Sequence, residues 1–395
     1  MLRLTENVKK ILVIGNGFDL AHGLPTRYID FLYFTKFMCQ YGDKNSTKLK
    51  QNYLSGSDFK KFSTHVTFLK DSDEEKIFSD ANQFGWSIKK ETDNLWINYF
   101  YDKEEQENKN WVDFEAEIST IIQNLEEWLE YKKNYKNLSW DDQSIPALER
   151  KKNKELINNV VNPFFFPTGE SRCYEKDKVP TISRINDFGK LLKTMEDDLD
   201  ILIQHLEIYL LLVMQYIDKT KKLNFIDKIG FDYLLSFNYT NTYEKIYGNI
   251  STCNYIHGVI DGKREKEDNN MVLGIEEYLQ DDARNTNRTF IWFKKYFQRI
   301  YKKTGSVYKS WLDVANKYKR EIEIYIVGHS LAITDKDIFQ ELILNSKKTV
   351  IYYFNKETLK SQISNMIEII GQDELIKKTS DGSLIFEEQP DKFTV

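Results

Sequence analysis

The 395-residue sequence is poor in cysteine and histidine and has no long apolar run, and each scarcity excludes a class of protein. Its three cysteines never fall at C-x-x-C spacing, so neither a disulfide framework nor a zinc knuckle is indicated. Five scattered histidines form no metal-ligand pattern, and we expect no metal. The most apolar helix-length stretch, 206–217, is interrupted by Glu207 and is too short to span a bilayer. No signal peptide is visible, so a cytoplasmic protein without membrane contacts is expected.

The sequence also lacks a large excess of charge of either sign, with 56 basic and 61 acidic residues. The net charge of −5 argues against a protein built mainly to bind nucleic acid. One stretch, 288–303, contains no acidic residue. Its Phe293, Tyr296, Phe297 and Ile300 fall on one helical face, which predicts a core helix with a solvated basic face. Binding of nucleic acid by this segment is the alternative interpretation.

Strand-like segments lie near the two ends of the chain. They are short, rich in β-branched and aromatic residues, and often followed by Gly or Asn. They comprise the run before Gly15 and the segments 231–238, 253–260, 321–328 and 349–355. Because helical patterns separate several of them, the sequence predicts an α/β fold with a mostly parallel sheet.

The middle of the chain is helical in pattern. Residues 114–133 place Ile118, Ile121, Ile122, Leu125 and Leu129 on one face, with Asp113 as the expected N-cap. A long amphipathic pattern follows at 187–219, and the proline-rich segment 162–180 between them reads as a loop. We therefore expect a helical insertion at 46–224 within an α/β domain formed by 1–45 and 225–395.

A glycine-rich turn follows the first strand. In ILVIGNGFDLAHGLP, Gly15 permits a tight turn and Gly17 lets a ligand approach the backbone without a Cβ in the way. The spacing is not G-x-G-x-x-G, because the next glycine is Gly23. A tight β–α turn that binds nothing is the alternative.

Five short motifs resemble, in order, those of sirtuin-like NAD-binding domains. They are the glycine loop ending in GLP, SFNYTNTYE, YIHG, VGHSL and YYFNKE. The resemblance implies a Rossmann-like fold, NAD as substrate or ligand, and Asn238 and His257 as catalytic residues. It further implies ligand contacts from Gly15, Asn16, Gly17, Phe18, Asp19, Gly23, Pro25, Tyr239, Gly328, His329, Ser330 and Asn355.

The chain departs from that pattern at two places. Asn16 and Asp19 replace the usual Ala and Ser, and a carboxylate beside a phosphate is costly without a cation. Asp19 could instead cap the following helix or accept a hydrogen bond from a ribose hydroxyl. No cysteine lies between His257 and Gly328, so the zinc module of protein deacylases is missing.

A wider resemblance covers nearly the whole chain. The segments IGNGFDLAHGLPTRYIDF, NWVDFEAEI, SFNYTNTYE, LGIEE and VGHSLAITDKDIF resemble the bacteriophage abortive infection AbiH family. That resemblance implies a role in phage defence, with a phage-derived trigger or self-association as the control. Glu276 and Glu277 could reach the pocket, or lie in a solvated loop. Asp335 and Asp337 read as helix-start residues rather than metal ligands.

Two functions remain open on the sequence. The first is an enzyme that hydrolyses NAD at the nicotinamide–ribose bond and so stops growth of the infected cell. The second is a non-catalytic nucleotide-binding sensor whose helical insertion contacts a partner.

Overall fold

The computed structural model describes most of the chain in segments. These are residues 8–42, 74–86, 94–107, 113–135, 143–156, 188–215, 217, 222–250, 252–263, 269–279, 281–317 and 321–390. The loop predicted at 162–180, with Cys173, lies outside the described residues.

The chain divides into two compact units. The sheet unit consists of Met1–Arg27, Leu210–Val272 and Lys295–Val395, and the helical unit of Tyr28–Tyr209 and Leu273–Lys294. The predicted insertion at 46–224 has different ends, because the helix that follows Arg27 packs with the helical unit. The short segment Leu273–Lys294 also joins that unit, which no composition change in the sequence signals.

A six-stranded, entirely parallel sheet forms the centre of the sheet unit. Its strands are β1 (Val8–Ile14), β2 (Tyr233–Ser236), β3 (Cys253–Tyr255), β4 (Glu321–Val327), β5 (Lys348–Tyr353) and β6 (Leu384–Glu388). Their order is β3-β2-β1-β4-β5-β6. This is the Rossmann order, in which the direction of winding reverses between β1 and β4. The α/β prediction and its five strands are confirmed, and β6 is an addition.

The helices follow in chain order. They are α1 (Asn16–Ala21), α2 (Tyr28–Gly42), α3 (Glu74–Gln83), α4 (Leu95–Glu107), α5 (Phe114–Asn134), α6 (Ala147–Leu156), α7 (Phe188–Met214), α8 (Asn224–Ile229), α9 (Thr242–Tyr247), α10 (Asp281–Thr286), α11 (Lys295–Tyr301), α12 (Val307–Lys317), α13 (Lys336–Leu344), α14 (Lys356–Ile370) and α15 (Gln372–Ser380). Single 3₁₀ turns occupy Ile291–Phe293 and Ile333–Asp335. Among the described helices, none is both long enough and apolar enough to cross a membrane.

Both faces of the sheet are buried, which explains why β1 is apolar at consecutive positions from Ile11 to Ile14. Ile11 and Val13 pack on one face with residues of α12, α13 and α14, including Trp311, Phe339 and Met366. Leu12 and Ile14 pack on the other face with residues of α1 and α8. This burial on two sides fixes the strand register, and with it the positions of the residues that follow each strand.

The helical unit has an aromatic centre of its own. Phe114, the first residue of α5, stacks on Phe100 at 3.9 Å and on Tyr28 at 4.3 Å between ring centroids. Asp113 caps α5 by accepting from the backbone N–H groups of Glu115 and Ala116, as predicted. The cap thus begins the helix at the point where its first side chain must enter the core.

Candidate functional site

The candidate site lies at the carboxyl edge of the sheet, where the register of the strands aligns the residues that follow them. Ile14 pairs with Ser236 and with Val327, and Ser236 pairs with Tyr255. Since neighbouring strands lie about 4.8 Å apart, the loops after β1, β2, β3 and β4 start side by side. Ligands of open α/β sheets bind at this edge, at the point where the winding reverses.

The glycines of the first loop pack against the loop that follows β4. A Cβ on Gly15 would lie 2.6 Å from the His329 ring, and one on Gly17 would lie 2.8 Å from the Gly328 Cα. Gly328 itself has φ +68°, and a Cβ there would lie 2.0 Å from the Phe18 nitrogen. All three positions therefore require glycine because two backbones meet there.

Three amide groups of this loop already have protein partners. Gly17 N–H donates to the Gly328 carbonyl at 2.7 Å, Gly15 N–H to Val327 at 3.2 Å, and Phe18 N–H to Gly15 at 2.8 Å. The role of these glycines in admitting a ligand stays a prediction. Their close contact with Gly328 is a separate and sufficient reason for their presence.

Asp19 is buried, with an exposed fraction of 1%, and points toward the loop after β2. The Thr240 hydroxyl donates to its Oδ2 at 2.5 Å, and Oδ1 has no hydrogen-bond partner. Burial raises the pKa of Asp19 to about 6, and contacts with Thr240, Thr242 and Asn238 offset part of that rise. Asp19 does not cap α1: its carboxylate is engaged by Thr240 and not by the helix amides.

Asn238 is the second buried polar residue at this edge. Its backbone N–H donates to the Ser236 hydroxyl at 3.1 Å, which fixes the turn after β2. The side chain lies near enough to Asp19 to lower the pKa of that carboxyl, yet neither its amide nitrogen nor its oxygen has a hydrogen-bond partner with good geometry. Only 4% of the residue is exposed. A buried amide with two unsatisfied atoms is uncommon and marks a place where another polar molecule is expected.

His257 lies level with Asn238, each two residues beyond the register pair of Ser236 and Tyr255. Its ring contacts Phe237 and Tyr239, with centroids 5.5 and 6.4 Å away. Burial, and then the charge of Lys295, lower the pKa of His257 to about 4, so the imidazole is neutral at cellular pH. Its Nδ1 atom is buried and has no partner.

Asp335 contacts His257 through the Nε2 atom of the ring, a contact that the sequence did not predict. Its Oδ1 lies 3.0 Å from His257 Nε2 and 3.2 Å from Lys295 Nζ, while its Oδ2 lies 3.7 Å from His329 Nε2. The side chain makes no capping bond to α13. Asp335 is nonetheless the N-cap residue of α13 and Asp337 lies in its first turn, as the helix-start interpretation predicts, while the contacts of Asp335 with His257 and Lys295 were not predicted.

Helix α11 contradicts part of its prediction. Lys295 and Arg299 are buried, whereas Tyr296 and Ile300 are 55% and 59% exposed. Tyr296 and Ile300 of the predicted apolar face point outward, although Phe293 is buried and Phe297 half-buried. Lys295 instead pairs with Asp335, and Arg299 pairs with Asp337 at 2.7 Å. Paired acids about forty residues away in the sequence thus decide which face is buried.

Other predicted ligand positions serve local structure. Asn355 is exposed and caps α14, accepting from Thr358 N–H at 2.8 Å. Ser330 is exposed, and its carbonyl accepts from Asn365 at 2.9 Å. His329 Nδ1 accepts from the Leu331 N–H at 2.8 Å.

The remaining predicted positions surround the first loop or belong to the other unit. The Asn16 Oδ1 accepts a hydrogen bond from the Thr26 hydroxyl, and the Phe18 ring is fully buried beside His22. Gly23 is exposed with φ +78°, and Pro25 is buried. The Tyr239 hydroxyl donates to the Val272 carbonyl. Glu276 and Glu277 lie in the helical unit, where Glu277 pairs with Lys294 at 2.7 Å. Within the described part of the chain, no three His, Cys, Asp or Glu residues gather as a metal site.

An all-parallel sheet in this order, with buried polar residues at its carboxyl edge, defines a Rossmann-like α/β protein. The family model described as bacteriophage abortive infection AbiH matches residues 11–355, and the chain belongs to that family. It is therefore a bacteriophage abortive infection protein. No curated protein and no solved structure matches the chain.

Proposed function

We propose that this protein defends the cell by hydrolysing NAD at the nicotinamide–ribose bond. The observation that carries the proposal is a set of buried polar atoms at the carboxyl edge without a well-oriented hydrogen-bond partner: both amide atoms of Asn238, Nδ1 of His257 and Oδ1 of Asp19. All three residues are buried, so leaving these atoms unsatisfied costs stability. A ribose ring with its hydroxyl groups and one water supply donors and acceptors of the matching kind.

The reaction needs little more than these groups. Water adds to C1′ of the ribose as the C1′–N1 bond breaks, and the bonding electron pair neutralises the pyridinium nitrogen of the leaving nicotinamide. The products are nicotinamide, ADP-ribose and one proton. The transition state resembles an oxocarbenium ion, as in glycoside hydrolysis. A buried carboxylate such as Asp19 stabilises the positive charge of such a state.

Asn238 suits the positioning role in this scheme. Its amide can donate to one ribose oxygen and accept from another hydroxyl or from the attacking water. His257, neutral at cellular pH, can take the proton that water releases. The order of these residues along the chain, which resembles that of sirtuin-like NAD hydrolases, supports the same assignment.

The test measures NAD in infected cells. Cells expressing the wild type, Asn238→Asp, His257→Gln or Asn345→Asp are challenged with a phage whose plating the wild type reduces. We expect NAD to collapse with the wild type and with Asn345→Asp, an exposed control substitution at the C-cap of α13, and to persist with the two site variants. Nicotinamide and ADP-ribose should appear in equal amounts.

Restriction of phage by the wild type at constant NAD would overturn the proposal. If purified protein then bound ADP-ribose or another nucleotide without cleaving NAD, the non-catalytic sensor would replace it.

A further inference from the structure

We propose that Asp335 and Lys295 position His257 as a proton acceptor, by holding its Nε2–H and leaving Nδ1 free. The positioning is a property of the protein without ligand. Its catalytic consequence rests on the proposed NAD hydrolysis.

The contact with Asp335 determines the tautomer of His257. An ionised carboxylate only accepts hydrogen bonds, and Asp335 Oδ1 lies 3.0 Å from His257 Nε2. Neutral imidazole carries one proton, and this contact assigns that proton to Nε2. The Nδ1 atom then holds an unshared electron pair, and this is the atom that lacks a protein partner.

Lys295 keeps Asp335 ionised inside the fold. Burial alone would raise the pKa of Asp335, but the ammonium of Lys295 and the hydrogen bond from His257 lower it well below its usual range. Lys295 and Asp335 are both almost fully buried, at 2% and 4% exposure, and together they are electrically neutral. Their pairing avoids the cost of an isolated buried charge.

His329 restrains the carboxylate from a second side. Its Nδ1 accepts from Leu331 N–H, so its own proton is on Nε2, 3.7 Å from Asp335 Oδ2. Gln362 of α14 holds the His329 carbonyl at 3.0 Å. Asp335 thus accepts hydrogen bonds from His257 and Lys295, and His329 lies against its second oxygen, which limits its freedom to turn away from His257.

Positive charges near His257 help to keep the imidazole neutral in the resting protein. Lys295, and Arg299 more weakly, lower its pKa, while Asp335 raises it. Arg299 is itself paired with Asp337. When Nδ1 takes the proton released as water attacks C1′, the resulting imidazolium lies against the Asp335 carboxylate, which stabilises it.

The first arm of the test is nitrogen NMR of ¹⁵N-histidine-labelled protein without ligand. The sequence holds five histidines, and His257→Gln and His329→Gln assign the two signals of interest. We expect His257 to be neutral at pH 7 with Nε2 protonated and Nδ1 bare. Protonation at Nδ1, or exchange between the two tautomers, would overturn the positioning.

The second arm uses Asp335→Asn with Asp337→Asn as its control. In Asp335→Asn the amide oxygen can still accept from both His257 Nε2 and Lys295 Nζ, because Oδ1 makes both contacts, but the negative charge that stabilises the protonated imidazole is lost. General-base catalysis contributes about 10²- to 10⁴-fold, so we expect purified Asp335→Asn to lose at least about 100-fold in kcat with little change in KM. Asp337→Asn, at the start of the same helix and paired with Arg299, should keep its activity within about threefold.

The two proposals fail in different ways. If the wild type cleaves no NAD but His257 shows the expected tautomer, NAD hydrolysis fails and the positioning stands. If the wild type is active and Asp335→Asn keeps its kcat, the positioning residue is wrong. A variant that does not fold leaves the NMR arm intact, because that arm reads the tautomer of His257 in the wild type.

Discussion

At the scale of single residues, the buried carboxyl of Asp19 lowers the free energy of unfolding at neutral pH. Asp19 is buried without a cation, and its pKa of about 6 lies above the ordinary value of 3.8. Its folded state therefore holds a proton that the unfolded state has lost between pH 4 and 6. Stability falls as pH rises through this window, and the loss is complete above pH 6.

We expect Asp19→Asn to stabilise the protein more at pH 7.5 than at pH 4.5. A shift from 3.8 to about 6 corresponds to about 3 kcal/mol in the free energy of unfolding, which sets the upper bound of the gain. Urea unfolding at the two pH values measures it, with the exposed Asp313→Asn as control. Equal effects of Asp19→Asn at both pH values would contradict the buried, proton-binding carboxyl.

The sequence places Asn238 and His257 near the ends of recognisable strands, and the structure has each two residues beyond the register pair Ser236–Tyr255, while their catalytic roles stay a prediction. The ion pair of Asp335 with Lys295 was not predicted from the sequence. Their pairing joins the end of a 3₁₀ turn to the start of α11, and no local pattern records a contact between distant residues.

At the scale of elements, the loops after β1 and β4 behave as one interlocked pair. Gly328 and Gly23 both have positive φ, +68° and +78°, so an alanine strains the backbone at either position. Only at Gly328 does the new Cβ meet another backbone, 2.0 Å away.

Gly328→Ala should therefore destabilise far more than Gly23→Ala. We expect a loss of about 1 kcal/mol at Gly23, from backbone strain alone, and more than about 3 kcal/mol at Gly328. Thermal unfolding of the two variants side by side measures the difference. Similar losses would show that the loops can separate without cost.

Five strands follow from the sequence because burial on both faces makes them apolar, β-branched and short. β6 does not, because Glu387 and Glu388 end it and its edge position leaves it half exposed. The buried face of α11 was predicted from its aromatic residues. The structure buries Lys295 and Arg299 instead, because each is paired with an acidic residue that is distant in the sequence.

At the scale of the whole molecule, neutral buried histidines dominate the response of the sheet unit to acid. Burial lowers the pKa values of His22, His257 and His329 to about 4, from 6.5. The unfolded chain binds these three protons between pH 6.5 and 4, while the folded chain does not. Stability therefore falls as pH falls through this window, and Asp19 opposes the trend with one proton.

We expect a net uptake of about two protons on unfolding near pH 5, or a slope of about 2.7 kcal/mol per pH unit. Asp19→Asn removes the opposing proton and should steepen the slope to about 4 kcal/mol per pH unit. Denaturant titrations at pH 4.5, 5.0 and 5.5 at constant ionic strength measure both values. A flat profile for the wild type would mean that these histidines are charged in the folded state.

The family match stops at residue 355, yet the sheet continues to Glu388. α14 contributes Met366 and Ile369 to the core and holds the His329 loop through Gln362. β6 covers the backbone edge of β5. The segment that the family model matches is therefore shorter than the segment that forms the sheet. A chain that ended at 355 would keep the whole matched segment, but β5 would become an open sheet edge, available for pairing with other chains.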